Sequence, residues 1–185
     1  LNLGALLRDL GKLQEAELLY RKAIEIKPEY AEGHLNLGVL LKDLGKLHDA
    51  VISFRKVIKI KPDFAKAHSN LGAILNDLGK LQEAEFSYRK AIELNPNFVV
   101  AYTNLGNILR DLGKLQDAEI YIRKAIELNP NFDNAHLNLG NILRDLGEYQ
   151  GAEFSYRKAI ELNPNFENAH LNLGNILSDL GNLKE

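Results

Sequence analysis

The sequence predicts an all-α protein, an α-solenoid of stacked antiparallel helix pairs, and three observations carry that prediction. The 16-residue stretch Asn104–Glu119 recurs as Asn2–Glu17, Asn36–Val51, Asn70–Glu85 and Asn138–Glu153, and begins again at Asn172. Each copy starts 34 residues after the last, with no insertion or deletion. Every copy holds two apolar runs at helical spacing. A glycine separates the two runs, and a Lys-Pro or Asn-Pro pair closes the second. A chain of 185 residues would ordinarily suggest one domain or two small ones. A strict repeat overrides that, because such a stack grows unit by unit around no single closed core. The chain therefore reads as one array over 1–185, with repeats 1–34, 35–68, 69–102, 103–136, 137–170 and a partial copy, 171–185.

The fifth copy shows how each element arises. Ala135, Leu139, Ile142, Leu143 and Leu146 recur at helical spacing until Gly147, placed as a left-handed residue ending a helix would be. A second apolar stripe follows: Tyr149, Ala152, Phe154, Tyr156, Ala159, Ile160 and Leu162. Asn163-Pro164-Asn165 ends it, since proline disfavours helix in the residue before it and cannot continue the ladder. Each repeat is thus two helices of roughly three to four turns, joined by turns short enough to force antiparallel neighbours. Gly140, Ala152 and Ala159 stand where helices approach closely. Phe132, Phe166 and their counterparts Tyr30, Phe64 and Phe98 are expected to seal one repeat onto the next. Burying a side chain of that size contributes roughly 1.5–3 kcal/mol.

Composition excludes several functions. Cysteine is absent, which removes disulfides, thiolate nucleophiles and cysteine-based zinc sites. A net charge of −2, from 23 basic and 25 acidic residues, gives no electrostatic footprint for nucleic acid or a membrane surface. No window approaches the ~20 apolar residues of a membrane span. These residues contain no signal-peptide pattern and no Asn-x-Ser/Thr sequon. The chain holds no methionine and both begins and stops within a repeat, so it reads as a piece of a longer array.

The pattern resembles the tetratricopeptide repeat family. The residues that carry the resemblance are the first-helix glycines (Gly4, Gly38, Gly72, Gly106, Gly140, Gly174), the second-helix alanines (Ala16, Ala50, Ala84, Ala118, Ala152) and the closing prolines (Pro28, Pro62, Pro96, Pro130, Pro164). The resemblance covers the whole chain and implies a right-handed superhelix whose concave groove, lined by the first helices, receives ligands. Departures are mild. The family's early aromatic is His34, His68, Tyr102, His136 or His170 here. Its aromatic one turn later is leucine, as at Leu41 and Leu109, and Ile122 stands where Tyr88 and Tyr156 keep the aromatic. The copies are alike enough to resemble the family's long bacterial arrays, which implies a cytoplasmic setting.

No catalytic constellation emerges, and no enzyme activity, cofactor or metal is expected. His34, His68, His136 and His170 form one column, but helices pack ~8–10 Å apart, while zinc needs each nitrogen within about 2.1 Å. Packing or surface roles account for them and for the lone His48. The serines show no Gly-x-Ser-x-Gly elbow, and apart from Gly33 and Gly151 every glycine belongs to the repeat, so no phosphate loop is indicated. The carboxylates of Glu85–Arg89–Glu93, Glu119–Arg123–Glu127 and Glu153–Arg157–Glu161 read as solvated i,i+4 ladders. Arg-Lys pairs such as Arg89-Lys90 recur, but flanking glutamates neutralise them, so phosphate tracking is rejected.

The polar stripe of the first helix is more informative. Asn134, Asn138, Asn141 and Asp145 share a helix face through spacings of four, three and four. Stacked, the repeats align Asn2, Asn36, Asn70, Asn104, Asn138 and Asn172 in one column. Aspartates including Asp111 and Asp145 form a second. A third reads Ala5, Val39, Ala73, Asn107, Asn141, Asn175, with Arg110 and Arg144 one turn beyond. Side-chain amides offer donors and acceptors that match a peptide backbone, so such a ladder can hold an extended chain with little regard for its side chains. It resembles the ladder of the tetratricopeptide region of O-GlcNAc transferase. The carboxylate clamp of chaperone-binding members is not implied, since Leu35, Ser69, Thr103, Leu137 and Leu171 replace the needed lysines. Recent duplication alone could make the asparagines uniform. Against that, asparagine is a mediocre helix former, and aspartate near a helix C-terminus opposes the dipole.

The expected function is a protein-interaction scaffold that binds a protein or extended peptide through Asn2, Asn36, Asn70, Asn104, Asn138 and Asn172. Asn107, Asn141, Asn175, Arg110, Arg144, Asp111 and Asp145 would hold the ligand's more polar part. The alternative is a substrate-recruiting arm of a larger glycosyltransferase- or sulfotransferase-type enzyme. Self-association through uncapped ends is a third possibility.

Overall fold

The structure, a computed structural model, describes residues 2–182, with side chains over 3–181. Its described residues form helices and no strand, in two compact units, Leu1–Pro96 and Asn97–Glu185. The first unit holds α1 (Asn2–Asp9), α2 (Leu13–Ile26), α3 (Ala31–Asp43), α4 (Leu47–Ile60), α5 (Ala65–Asp77) and α6 (Leu81–Leu94). The second holds α7 (Val99–Asp111), α8 (Leu115–Leu128), α9 (Asp133–Asp145), α10 (Tyr149–Leu162) and α11 (Glu167–Asn182). Odd-numbered helices are the first members of the predicted pairs, and even-numbered helices are the second. Each unit is a stack of helix pairs, the predicted α-solenoid architecture.

One turn geometry joins each pair. Gly45 adopts φ 71°, and Gly11, Gly79, Gly113 and Gly147 do likewise. A side chain would strain that backbone, as the sequence anticipates. Gly45 N–H donates to the Lys42 carbonyl and Lys46 N–H to that of Leu41, at 2.8 Å each. That is the Schellman arrangement, and it satisfies two carbonyls that a helix end leaves over.

Close approach within a pair depends on the first-helix glycine. A Cβ on Gly140 would lie 2.5 Å from the Tyr156 ring, and one on Gly106 would lie 2.5 Å from Ile122. Isoleucine therefore fills the aromatic's place in the fourth repeat without opening the contact. Ala16, Ala50, Ala84, Ala118 and Ala152 are fully buried.

Two expectations need correction. Phe154 does not belong to the buried stripe of its helix and is 73% exposed. It lies two residues beyond Ala152, about 200° round the helix, whereas Tyr156 and Ala159 return to the core face. Tyr30, Phe64, Phe98, Phe132 and Phe166 are only half-buried, so each contributes less than full burial would. Their carbonyls instead start the first helices: Phe64 accepts from Ala67 and Phe132 from Ala135.

Candidate functional site: the first-helix asparagine row

Packing decides which faces remain open. Within the first unit α3 touches α5, and within the second α7 touches α9 and α9 touches α11. The second helices of successive repeats make no comparable contact. First helices therefore lie side by side and align their polar rows, while second helices stand apart.

Asn36 and Asn70 lie on the first-helix row of the first unit. Asn104, Asn138 and Asn172 lie on that of the second, and all five are half-buried. The side chain of Asn2 lies outside the described residues. Asn107 and Asn141 are half-buried beside the row, and Asn175 is exposed. Asn172 Nδ2 donates to Asn141 Oδ1 at 2.8 Å, and the Tyr156 hydroxyl donates to the same oxygen at 3.0 Å. Asn141 thus ties its own second helix to the next repeat's first helix.

The first unit lacks that link. Ala5, Val39 and Ala73 stand where Asn141 would. The Tyr20 hydroxyl and Asn70 Nδ2 are correspondingly buried without a partner. Tyr20 sits against Gly4 as Tyr156 sits against Gly140, so the difference lies beyond the ring. Burial pushes both hydroxyls' pKa values above the ordinary tyrosine value, so each remains a donor at neutral pH.

The charged residues of the second unit also meet. Arg110 Nε, from the preceding repeat, donates to one oxygen of Asp145. Arg144 Nη2 donates to the other oxygen at 3.2 Å. Two guanidinium groups share one carboxylate, and all three side chains are 27–31% exposed. Asp111 is exposed at the end of α7.

The histidine column is structural. His34, His68, His136 and His170 each place Nε2 2.8–2.9 Å from the carbonyl of the proline six residues earlier. A carbonyl only accepts, so Nε2 carries the proton and pins the first helix to its preceding loop. Among the described residues no group of three His, Asp or Glu side chains converges as metal ligands would. No described helix is long and apolar enough to cross a membrane. The carboxylate ladders are shorter than expected. Arg123 pairs with Glu119 and Arg157 with Glu153, but Glu93, Glu127 and Glu161 pair with Lys90, Lys124 and Lys158 at i,i+3.

Sequence reasoning missed a feature of the second helices. Leu18, Ile52, Phe86, Ile120 and Phe154 are 64–73% exposed, and they recur every 34 residues. Beside them open clefts of about 400–460 Å³: one bordered by Ile52 and His34, another by Phe86 and His68, a third by Phe154 and His136. Their strict period was the available signal. These clefts contain none of the row asparagines. The clefts and the row are therefore separate features.

Models described as TPR repeat match residues 4–45, 40–79 and 140–181, and models described as tetratricopeptide repeat match 65–98, 99–132 and 121–154. The chain belongs to the tetratricopeptide repeat family. Among solved structures of tetratricopeptide-like fold, MamA superposes with a TM-score of 0.82 at 27% identity, covering 89% of this chain and 96% of its own. YrrB, described as a TPR protein with an unusual peptide-binding site, gives 0.76 at 24% identity over 91% and 87%. A thermophilic TPR protein of Thermus thermophilus, TTC0263, gives 0.75 at 21% identity over 96% of each chain. The last two show the fold alone. No curated protein matches this tetratricopeptide chain in sequence.

Proposed function

We propose that this tetratricopeptide array is a non-catalytic interaction scaffold that binds extended segments of other proteins along its first-helix faces. The observation that carries the reading is the half-buried asparagine that the first helices carry, Asn36 and Asn70 in the first unit and Asn104, Asn138 and Asn172 in the second. Half-burial leaves part of each side chain open to solvent, although Asn70 Nδ2 itself is buried and Asn172 Nδ2 is engaged by Asn141. An amide that is neither buried nor already engaged offers an N–H donor and a carbonyl acceptor, the pair that a peptide unit presents in reverse. Arg110 and Arg144 flank the row with two positive charges against the single charge of Asp145. That surplus suits an acidic side chain on the ligand. YrrB gives this fold a peptide-binding precedent.

A test replaces the five row asparagines together with alanine and screens a library of unstructured peptides. Loss of peptide binding with unchanged helicity is expected. Affinities equal to those of the unaltered chain would remove the proposal.

A further inference from the structure

We infer that, in the second unit, the second-helix residue packed beneath each first helix decides which amides are free for a ligand. Tyr156 withdraws Asn141 and Asn172 into the array, while Ile122 leaves Asn104, Asn107 and Asn138 open. The inference rests on the first-helix side being the ligand face. It narrows that face to the strip formed by α7 and α9, and makes Ile122 a positioning residue that touches no ligand itself.

Ile122 and Tyr156 hold equivalent places. A Cβ on Gly106 would fall 2.5 Å from Ile122, and one on Gly140 would fall 2.5 Å from Tyr156. Asn107 precedes Ile122 by 15 residues, as Asn141 precedes Tyr156, and Asn138 stands to Asn107 as Asn172 stands to Asn141. Isoleucine lacks the hydroxyl. The Tyr156 hydroxyl donates to Asn141 Oδ1 at 3.0 Å, and that oxygen also accepts from Asn172 Nδ2 at 2.8 Å. Both lone pairs of Asn141 Oδ1 are thereby used. A ligand taking their place would strand the Tyr156 hydroxyl, whose side chain is fully buried, and an unsatisfied buried group costs more than a new hydrogen bond returns. Over Ile122 no hydroxyl arrives. Among the described residues, no hydrogen bond engages the side chains of Asn104, Asn107 or Asn138, and none of their amide atoms is sealed from solvent. Asn104 and Asn107 lie one turn apart on α7, and α7 touches α9, which carries Asn138. Three open amides thus gather on neighbouring helices, with donors and acceptors for the main chain of an extended segment.

Side-chain amide NMR of the unaltered chain, titrated with a capped Gly-Ser decapeptide carrying one Asp, tests the inference. Nδ2 protons of Asn172 should exchange with water more slowly than those of Asn104, Asn107 and Asn138. The peptide should shift the signals of the last three and leave those of Asn141 and Asn172 in place. Asn104→Ala with Asn107→Ala and Asn138→Ala should raise the peptide's Kd roughly tenfold or more. Asn141→Ala with Asn172→Ala should lower the melting temperature and leave Kd within about twofold. Ile122→Tyr is the decisive arm: a hydroxyl beneath Asn107 should slow exchange at Asn138 and raise Kd severalfold. Ile122→Phe adds the ring alone and should change neither. Phe54 already packs on Gly38 and Tyr88 on Gly72, so either ring suits the place. Equal weakening by the two alanine sets, an Ile122→Tyr variant that alters neither exchange nor Kd, or equal losses from Ile122→Tyr and Ile122→Phe would overturn the inference while leaving the first-helix side as the ligand face. A peptide that shifts no asparagine amide would overturn that reading as well.

Discussion

Tyr20 and Tyr156 occupy the same place in their repeats, yet one hydroxyl is buried without a partner and the other donates to Asn141. A typical hydrogen bond contributes about 0.5–1.5 kcal/mol net, whereas an unsatisfied buried group costs about 1–3 kcal/mol. Tyr156→Phe should therefore lower stability by about 1 kcal/mol, while Tyr20→Phe should leave it unchanged or raise it. Denaturant midpoints compared side by side check the opposite signs. The sequence displays this contrast as Ala5 against Asn141, but not its meaning. Column positions can be read from the period, whereas the partner of a side chain depends on rotamers and on the neighbouring repeat. Arg110 illustrates the same limit, since its carboxylate partner, Asp145, lies 35 residues away.

Between helices, the glycine contact and the loop anchors decide how firmly a pair closes. Gly140→Ala forces a methyl onto the Tyr156 ring at 2.5 Å, so a loss of about 1–3 kcal/mol is expected. Gly174 meets nothing within 4 Å, so Gly174→Ala should instead gain up to about 1 kcal/mol from helix propensity. Thermal melts of the two variants should move in opposite directions. Glu17 links α2 to the turn after α3, accepting from Lys46 at 2.8 Å and from Arg21 on its own helix. The Lys46 hydrogen bond, reinforced by Arg21, holds the carboxyl below the ordinary glutamate pKa, although partial burial pushes it up. A depressed carboxylate pKa stabilises the fold above the unfolded value of ~4.3, and that contribution is lost as pH falls through the lower folded value. Glu17→Gln should flatten the acid limb of stability against pH, as melts from neutral pH downward would show. Helix bounds, turn glycines and breaking prolines were legible because each acts through local backbone geometry. The exposure of Phe154 was not, since a stripe counted by apolar identity overlooks its angle round the helix.

Across the whole chain, the fold was legible because the period leaves no alternative element order, while the boundary after Pro96 leaves no mark in the repeat. Within each unit, helices touch the other member of their own pair, and second helices touch the first helix of the next pair. Stability is then a sum of repeat and nearest-neighbour terms. Leu40→Ala, at a fully buried site in α3, should raise hydrogen exchange in α3, α4 and the helices they touch, leaving the remaining protected amides near their original rates. The five-asparagine test of ligand binding belongs to this scale too, since its positions lie in both units. The turns close locally. Among the described residues, every backbone hydrogen bond outside the helices joins groups no more than five residues apart. Excising or inserting a whole 34-residue unit therefore breaks no main-chain pairing. Unequal recombination can lengthen or shorten such a gene without producing a chain that misfolds at the junction, so array length is free to vary under selection.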